Sequence, residues 1–261
     1  MRYYILIIVT ILTNSCNSQH GITAEQRAQI NKIKENFVFV EGGTFEMGKD
    51  GMPESNPRHN VILDSYSLSK YETTFKDFDT YTAINDLDFI KKKYRDQRAM
   101  GQNYGICFIS WYQARDYCKW LGKQLNLSLD LPTEAQWEYA ARSRGLDVQH
   151  ATDSGNIEGS YTEKRNYNGS KVEVGSYPPN PLGVYDMSGG RPEWVRDWFF
   201  SYDEEPRTNP VQDSIRYSKS KIVRGWHTLS NSVYGRGKRK PDFDKDIVGF
   251  RCVCNQKTPI E

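Results

Sequence analysis

The sequence predicts an α+β fold with short strands, a few helices and much ordered loop. Three observations lead there: β-rich runs near residue 37, two helices opening on capping boxes in mid-chain, and a stretch from residue 145 to 183 dominated by Asn, Gly, Ser, Pro and Tyr without a strong hydrophobic period. A chain of 261 residues can bury one sizeable core, and one domain behind a leader is the simplest organisation.

The leader is MRYYILIIVTILTNSC at residues 1–16. Arg2 is the positive n-region, and Tyr3 to Leu12 form an apolar run well short of the roughly twenty residues that span a bilayer. A cysteine directly after such a run resembles a bacterial lipoprotein signal, which implies that Cys16 becomes the acylated first residue and anchors the protein in the cell envelope. The alternative is an ordinary signal peptide with an incidental cysteine. Residues 17–35 are polar, with only Ile22, Ile30 and Ile33 as apolar points, and read as a tether holding at most a marginal helix. The domain proper is expected over 36–254, with a tail at 255–261.

FVFVEGGTFEMGK at 37–49 reads as two short strands separated at Gly42 and Gly43, and VILDSYSLSKYETT alternates in the strand sense. TFKDFDTYTAI then places Phe75, Phe78 and Tyr81 at helical spacing. Ser110 with Gln113 and Thr133 with Gln136 are capping boxes, so helices start at Trp111 and Glu134. The first of these aligns Trp111, Ala114, Tyr117, Cys118 and Leu121 on one stripe; the second aligns Trp137, Ala140 and Ala141. So much irregular chain after residue 145 calls for disulfides or bound metal to hold it.

Without residues 1–15 the chain carries 34 basic against 33 acidic side chains, which excludes a polyanion-binding surface and argues against nucleic acid as a partner. Setting Cys16 aside leaves Cys107, Cys118, Cys252 and Cys254, an even number suited to disulfides, with three pairings open on spacing alone. The four histidines are scattered and make no zinc pattern.

Three segments together resemble the formylglycine-generating-enzyme, or sulfatase-modifying factor, family. They are FVFVEGGTFEMG, ISWYQARDYCKWLGKQLNLSLDLPTEAQWEYAARSRG and LGVYDMSGGRPEWVRDWF, with VGFRCV as a closing strand. The resemblance implies the complex C-type-lectin-like fold. It also implies a disulfide between Cys118 and Cys252, which leaves Cys107 and Cys254 either as a second bridge or as small buried hydrophobes. Family members bind calcium in a loop matching Asp186 to Glu193, so the resemblance places the ion on the Asp186 and Glu193 carboxylates and the Gly189 and Arg191 carbonyls. Gly190, Arg191 and Pro192 depart from the family pattern. The competing reading pairs Glu193 with an arginine such as Arg191 or Arg196. The family's other calcium loop is truncated here, with Asn166 its one match.

Catalytic members use two cysteines five residues apart that bind copper as thiolates. Counted from Arg224 and Gly225, those positions fall on Ser230 and Gly235, and no cysteine lies between Cys118 and Cys252. Soft thiolates are what monovalent copper requires, so copper is not expected. His227 and Ser230 stand three apart with no evident acid partner, a poor basis for a new nucleophile. Arg236, Lys238, Arg239 and Lys240, followed by Asp242, Asp244 and Asp246, read as a solvated hairpin or, alternatively, a patch for an acidic partner.

The expectation is a non-catalytic, lipid-anchored envelope protein that binds or assembles protein partners. The closing segment is similar to gliding-motility and type IX secretion lipoproteins of this family. Two other classes stay open: an enzyme using the family groove differently, and a glycan- or peptide-binding module.

Overall fold

A computed structural model describes residues 21–52, 54–90, 101–155, 173–215, 218–225 and 232–261. Cys16, Asn166, His227 and Ser230 lie outside the described residues. The architecture is α+β: four helices and ten short strands in three small sheets among the described residues.

The helices are α1 (Ala24–Glu35), α2 (Phe75–Ile84), α3 (Trp111–Leu125) and α4 (Glu134–Ala141). Each opens on a capping box, in which an N-cap hydroxyl accepts from the third helical amide and the residue there accepts from the N-cap amide. Strands β1 (Phe37–Val40), β4 (Tyr66–Ser69), β5 (Leu129–Asp130) and β10 (Val253–Cys254) form one antiparallel sheet in the order β1-β4-β10-β5. A second sheet joins β2 (Gly43–Met47) to β3 (His59–Leu63), with β7 (Arg207–Thr208) parallel to β3. The third orders β6 (Glu193–Trp198), β8 (Lys221–Arg224) and β9 (Arg236–Arg239).

The expected helices and the strands near residues 37 and 61 are all present, and each predicted stripe is buried. The expected closing strand is shorter than its motif. In VGFRCV only Val253 joins the sheet ladder, while Gly249 makes a lone parallel bridge to Glu193.

Residues 24–35 depart from the expected tether. They form α1, which packs against α2 and α3 and buries Ile30 completely, with Ile22 and Ile33 against the same core. The Thr23 and Gln26 capping box starts this helix, and three isoleucines suffice because tertiary packing, not a full amphipathic face, holds it.

Cys118 and Cys252 form a disulfide, as the resemblance implied, tying α3 to the segment that leads into β10. The second bridge is corrected: Cys107 and Cys254 are buried thiols outside any disulfide. The irregular chain after α4 is held by polar staples. Arg142 donates to the carbonyls of Glu46, Gly145 and Leu146, the Asn180 side chain donates to the Ala140 carbonyl, and Ala151 N–H donates to Ser188. Among the described residues no helix is long and apolar enough to cross a membrane.

Candidate functional site

Helix α4 repeats its charge every fourth residue, which puts Glu134, Glu138 and Arg142 on one face. All three side chains are buried, and they are the platform beneath the ends of β8 and β9. Arg224, at the end of β8, donates from Nη1 to Glu134 Oε1 at 2.8 Å and from Nη2 to Glu138 Oε2 at 2.9 Å. Arg236, its partner in the β8–β9 register, donates from Nε and Nη2 to the two Glu134 oxygens at 2.7 and 2.9 Å. Arg142 reaches Glu138 Oε1 at 2.9 Å. Burial alone would raise the Glu134 carboxyl, but Arg236 and Arg224 outweigh it and hold it below the ordinary glutamate range. Tyr202 lies 3.9 Å under the Arg236 guanidinium, a cation–π contact in a dry site.

This platform clamps the two strands, Arg224 facing Arg236. Gly225 follows with φ +71°, and Gly235 is buried in a turn, its N–H donating to the Ser232 carbonyl at 3.0 Å.

The basic cluster divides: Arg236 points into the core, while Lys238 and Lys240 are exposed and Arg239 is half-buried. Arg236 is 3% exposed and paired with Glu134, Lys238 contacts Glu54, and Arg239 contacts Asp246. Arg236 therefore belongs to the core, and neither a solvated hairpin nor an acidic-partner patch describes it.

A second polar cluster surrounds the expected calcium loop. Arg251 forks onto Glu193: Nη2 donates to Oε1 at 2.8 Å, and Nε to Oε2 at 2.8 Å and to Oε1 at 3.1 Å. Trp137 Nε1 donates to Oε2 at 3.0 Å. Glu193 is thus ion-paired as one sequence reading had it, yet with Arg251 in place of Arg191 or Arg196. Asp186, at φ +63°, accepts the Gly175 N–H at 2.7 Å, and its carbonyl accepts from Gly190. Glu72, from the chain before α2, accepts the Arg191 N–H at 2.5 Å. Burial, with Asp186 and Glu193 nearby, pushes the Glu72 carboxyl up to about 8 despite the opposing pull of Arg251 and Arg191.

On the other side of Glu72 a polar cavity of about 240 Å³ opens between α1, α2 and α3. Tyr117 and Cys252 line its floor, and Lys32 and Lys76 stand exposed at its rim.

The match that decides the family is broad: residues 23–256 fit the sulfatase-modifying factor enzyme 1-like domain. The chain belongs to that family. As a sulfatase-modifying-factor domain it is 30% identical to the serine/threonine-protein kinase pkn1 of Chlamydia pneumoniae over 97% of its own length, yet it spans 43% of that relative. A formylglycine-generating enzyme from Thermomonospora curvata is 29% identical over 88% of this chain and 96% of the enzyme. The inactive C-alpha-formylglycine-generating enzyme 2 of Bos taurus is 25% identical over 86% and 89%. Among solved structures, PvdO from Pseudomonas aeruginosa superposes with a TM-score of 0.69 at 24% identity, covering 84% of this chain and 93% of PvdO. That likeness fixes the fold, the C-type-lectin-like arrangement that the resemblance implied. Similarity of the same order to a relative named as an enzyme and to one named inactive leaves activity to the residues of the site.

Sequence reasoning found the 224–239 segment and the Asp186 to Glu193 loop. It missed the inward face of α4, although the Glu134, Glu138, Arg142 spacing carries that signal. It also missed Glu72 and Arg251, which no local pattern marks.

Proposed function

We propose that this protein is a lipid-anchored, non-catalytic sulfatase-modifying-factor domain that binds or assembles protein partners in the bacterial cell envelope. The observation that carries the reading is the fate of the cysteines. Cys118 and Cys252 are spent in a disulfide and Cys107 and Cys254 are buried, while counting from Arg224 and Gly225, as the resemblance implies, puts Ser230 and Gly235 at the family's thiolate positions. Copper needs two converging soft ligands, and a glycine and a serine provide none. The strands on either side of those positions are nevertheless held by a buried five-residue ion network, which supports retention for shape rather than for oxidation chemistry. The leader ending at Cys16 supports the anchor and the envelope location.

The test has two arms. Incubated with a cysteine-containing peptide and copper, the protein leaves the peptide mass unchanged under conditions where a formylglycine-generating enzyme converts it; conversion overturns the non-catalytic reading. Crosslinking in native membranes then recovers a stoichiometric partner with the full-length protein and not with Cys16→Ala. Equal recovery from both forms removes the anchored-assembly reading.

A further inference from the structure

The fold family implies a calcium ion in the loop from Asp186 to Glu193, and the side chains of this chain do not fit one. We infer that arginine guanidinium groups supply the positive charge here, so that the loop closes without metal.

Calcium takes six to eight oxygen ligands at 2.3–2.6 Å and relies on carboxylates with free lone pairs. Glu193 has none left, because each of its oxygens already accepts two hydrogen bonds, from Arg251 and from Arg251 with Trp137. Asp186 spends Oδ2 on the Gly175 N–H and its carbonyl on the Gly190 N–H. The Glu72 carboxyl group enters the loop from outside and accepts the Arg191 N–H. It lies so close to Gly190 that a Cβ there would come within 2.2 Å of Glu72 Oε1 and 2.3 Å of the Asp186 carbonyl. The glycine at 190 therefore makes room for a carboxyl group, and that group ties the loop backbone down.

Arg191 provides the second, independent observation. Its side chain is 2% exposed, runs beside Gly105 and Gly249, and holds Nε, Nη1 and Nη2 buried without a hydrogen-bond partner. With no hydrogen bond to hold it, the guanidinium acts on the loop through its charge, and Glu72 lies within its reach. With Arg251 it sets two fixed cations beside Glu72, Asp186 and Glu193. A divalent ion would have to displace a bidentate arginine from Glu193 and sit beside both guanidiniums, and repulsion between like charges in a poorly screened interior opposes that.

The experiment is calcium titration of the full chain by calorimetry, with thermal melts in excess EDTA and in millimolar calcium. Wild type is expected to give no saturable heat and the same Tm in both; saturable binding, or a Tm lowered by EDTA, overturns the inference. Arg191→Ala is expected to melt below wild type and to regain stability on adding calcium. A folded Arg191→Ala protein indifferent to calcium refutes the assignment of the charge to Arg191. Arg191→Lys keeps the cation and is expected to fold and ignore calcium, and a calcium-dependent lysine variant counts against the inference even where the alanine variant fails to fold.

Discussion

Glu72 shows how one side chain can set the acid–base behaviour of this protein. Its carboxyl is buried and pushed up to about 8, so between the ordinary glutamate range and pH 8 the folded state holds a proton that the unfolded chain has released. Stability therefore falls as pH rises through that window, with on the order of a few kcal/mol at stake. Asp197 acts in the same direction: burial raises it to about 6 even though it accepts the Glu134 and Gln212 amides. Glu72→Gln keeps an acceptor for the Arg191 N–H and removes the charge. It is expected to flatten the decline between about pH 5 and 8, measured as urea midpoints across that range; an unchanged slope would assign the dependence to other groups. Lys221 runs the opposite way. Burial lowers its ammonium to about 8, so its contribution to stability rises with pH between 8 and the ordinary lysine value.

At the scale of elements, α4 and the β8–β9 pair stand or fall together. Arg224 and Arg236 are buried against two glutamates of one helix, and removing Arg224 breaks two buried pairs at once, leaving Glu134 to Arg236 alone and Glu138 to Arg142 alone. Arg224→Met is expected to cost about 3–5 kcal/mol by chemical denaturation, the range for breaking a buried pair. A loss under about 1 kcal/mol would mean that water or Arg236 compensates. The sequence stated where α4 begins, through Thr133 and Gln136, more clearly than what its faces do. Glutamates at a helix surface ordinarily meet solvent, and only the arrival of Arg224 and Arg236 from ninety and more residues away turns them inward. Helix α1 carries the same start signal as α3 and α4, the Thr23 and Gln26 box, but the sequence reading passed over it because sparse isoleucines gave no amphipathic face. Deleting residues 24–35 is accordingly expected to uncover Ile106, Tyr117 and neighbouring core side chains and to yield an insoluble or molten chain by near-ultraviolet circular dichroism, where a dispensable tether would leave the spectrum intact.

For the whole molecule, the disulfide and the buried ion pairs do what regular secondary structure leaves undone. The Cys118–Cys252 bridge spans 134 residues, more than half the chain. Closing so long a loop restricts the unfolded ensemble, and a Cys118→Ala, Cys252→Ala protein is expected to lose about 2–5 kcal/mol in denaturant midpoints relative to wild type. The family motifs gave this bridge and the fold, because motifs encode contacts that spacing alone does not. The Glu193–Arg251 pair and the reach of Glu72 into the loop at Gly190 join three separate stretches of chain. No window of sequence contains that information.

The docking of α1 also sets a leash. If the lipid sits on Cys16 as proposed, only residues 17–22 separate it from the N-cap of a helix fixed to the body, and six extended residues reach about 20 Å. A nineteen-residue tether would give the domain a wide hemisphere to sample; on the proposed anchor so short a linker would hold it against the bilayer with α1 turned toward the lipid. Any partner then meets the domain from the side or from the face away from the membrane, at a nearly fixed height.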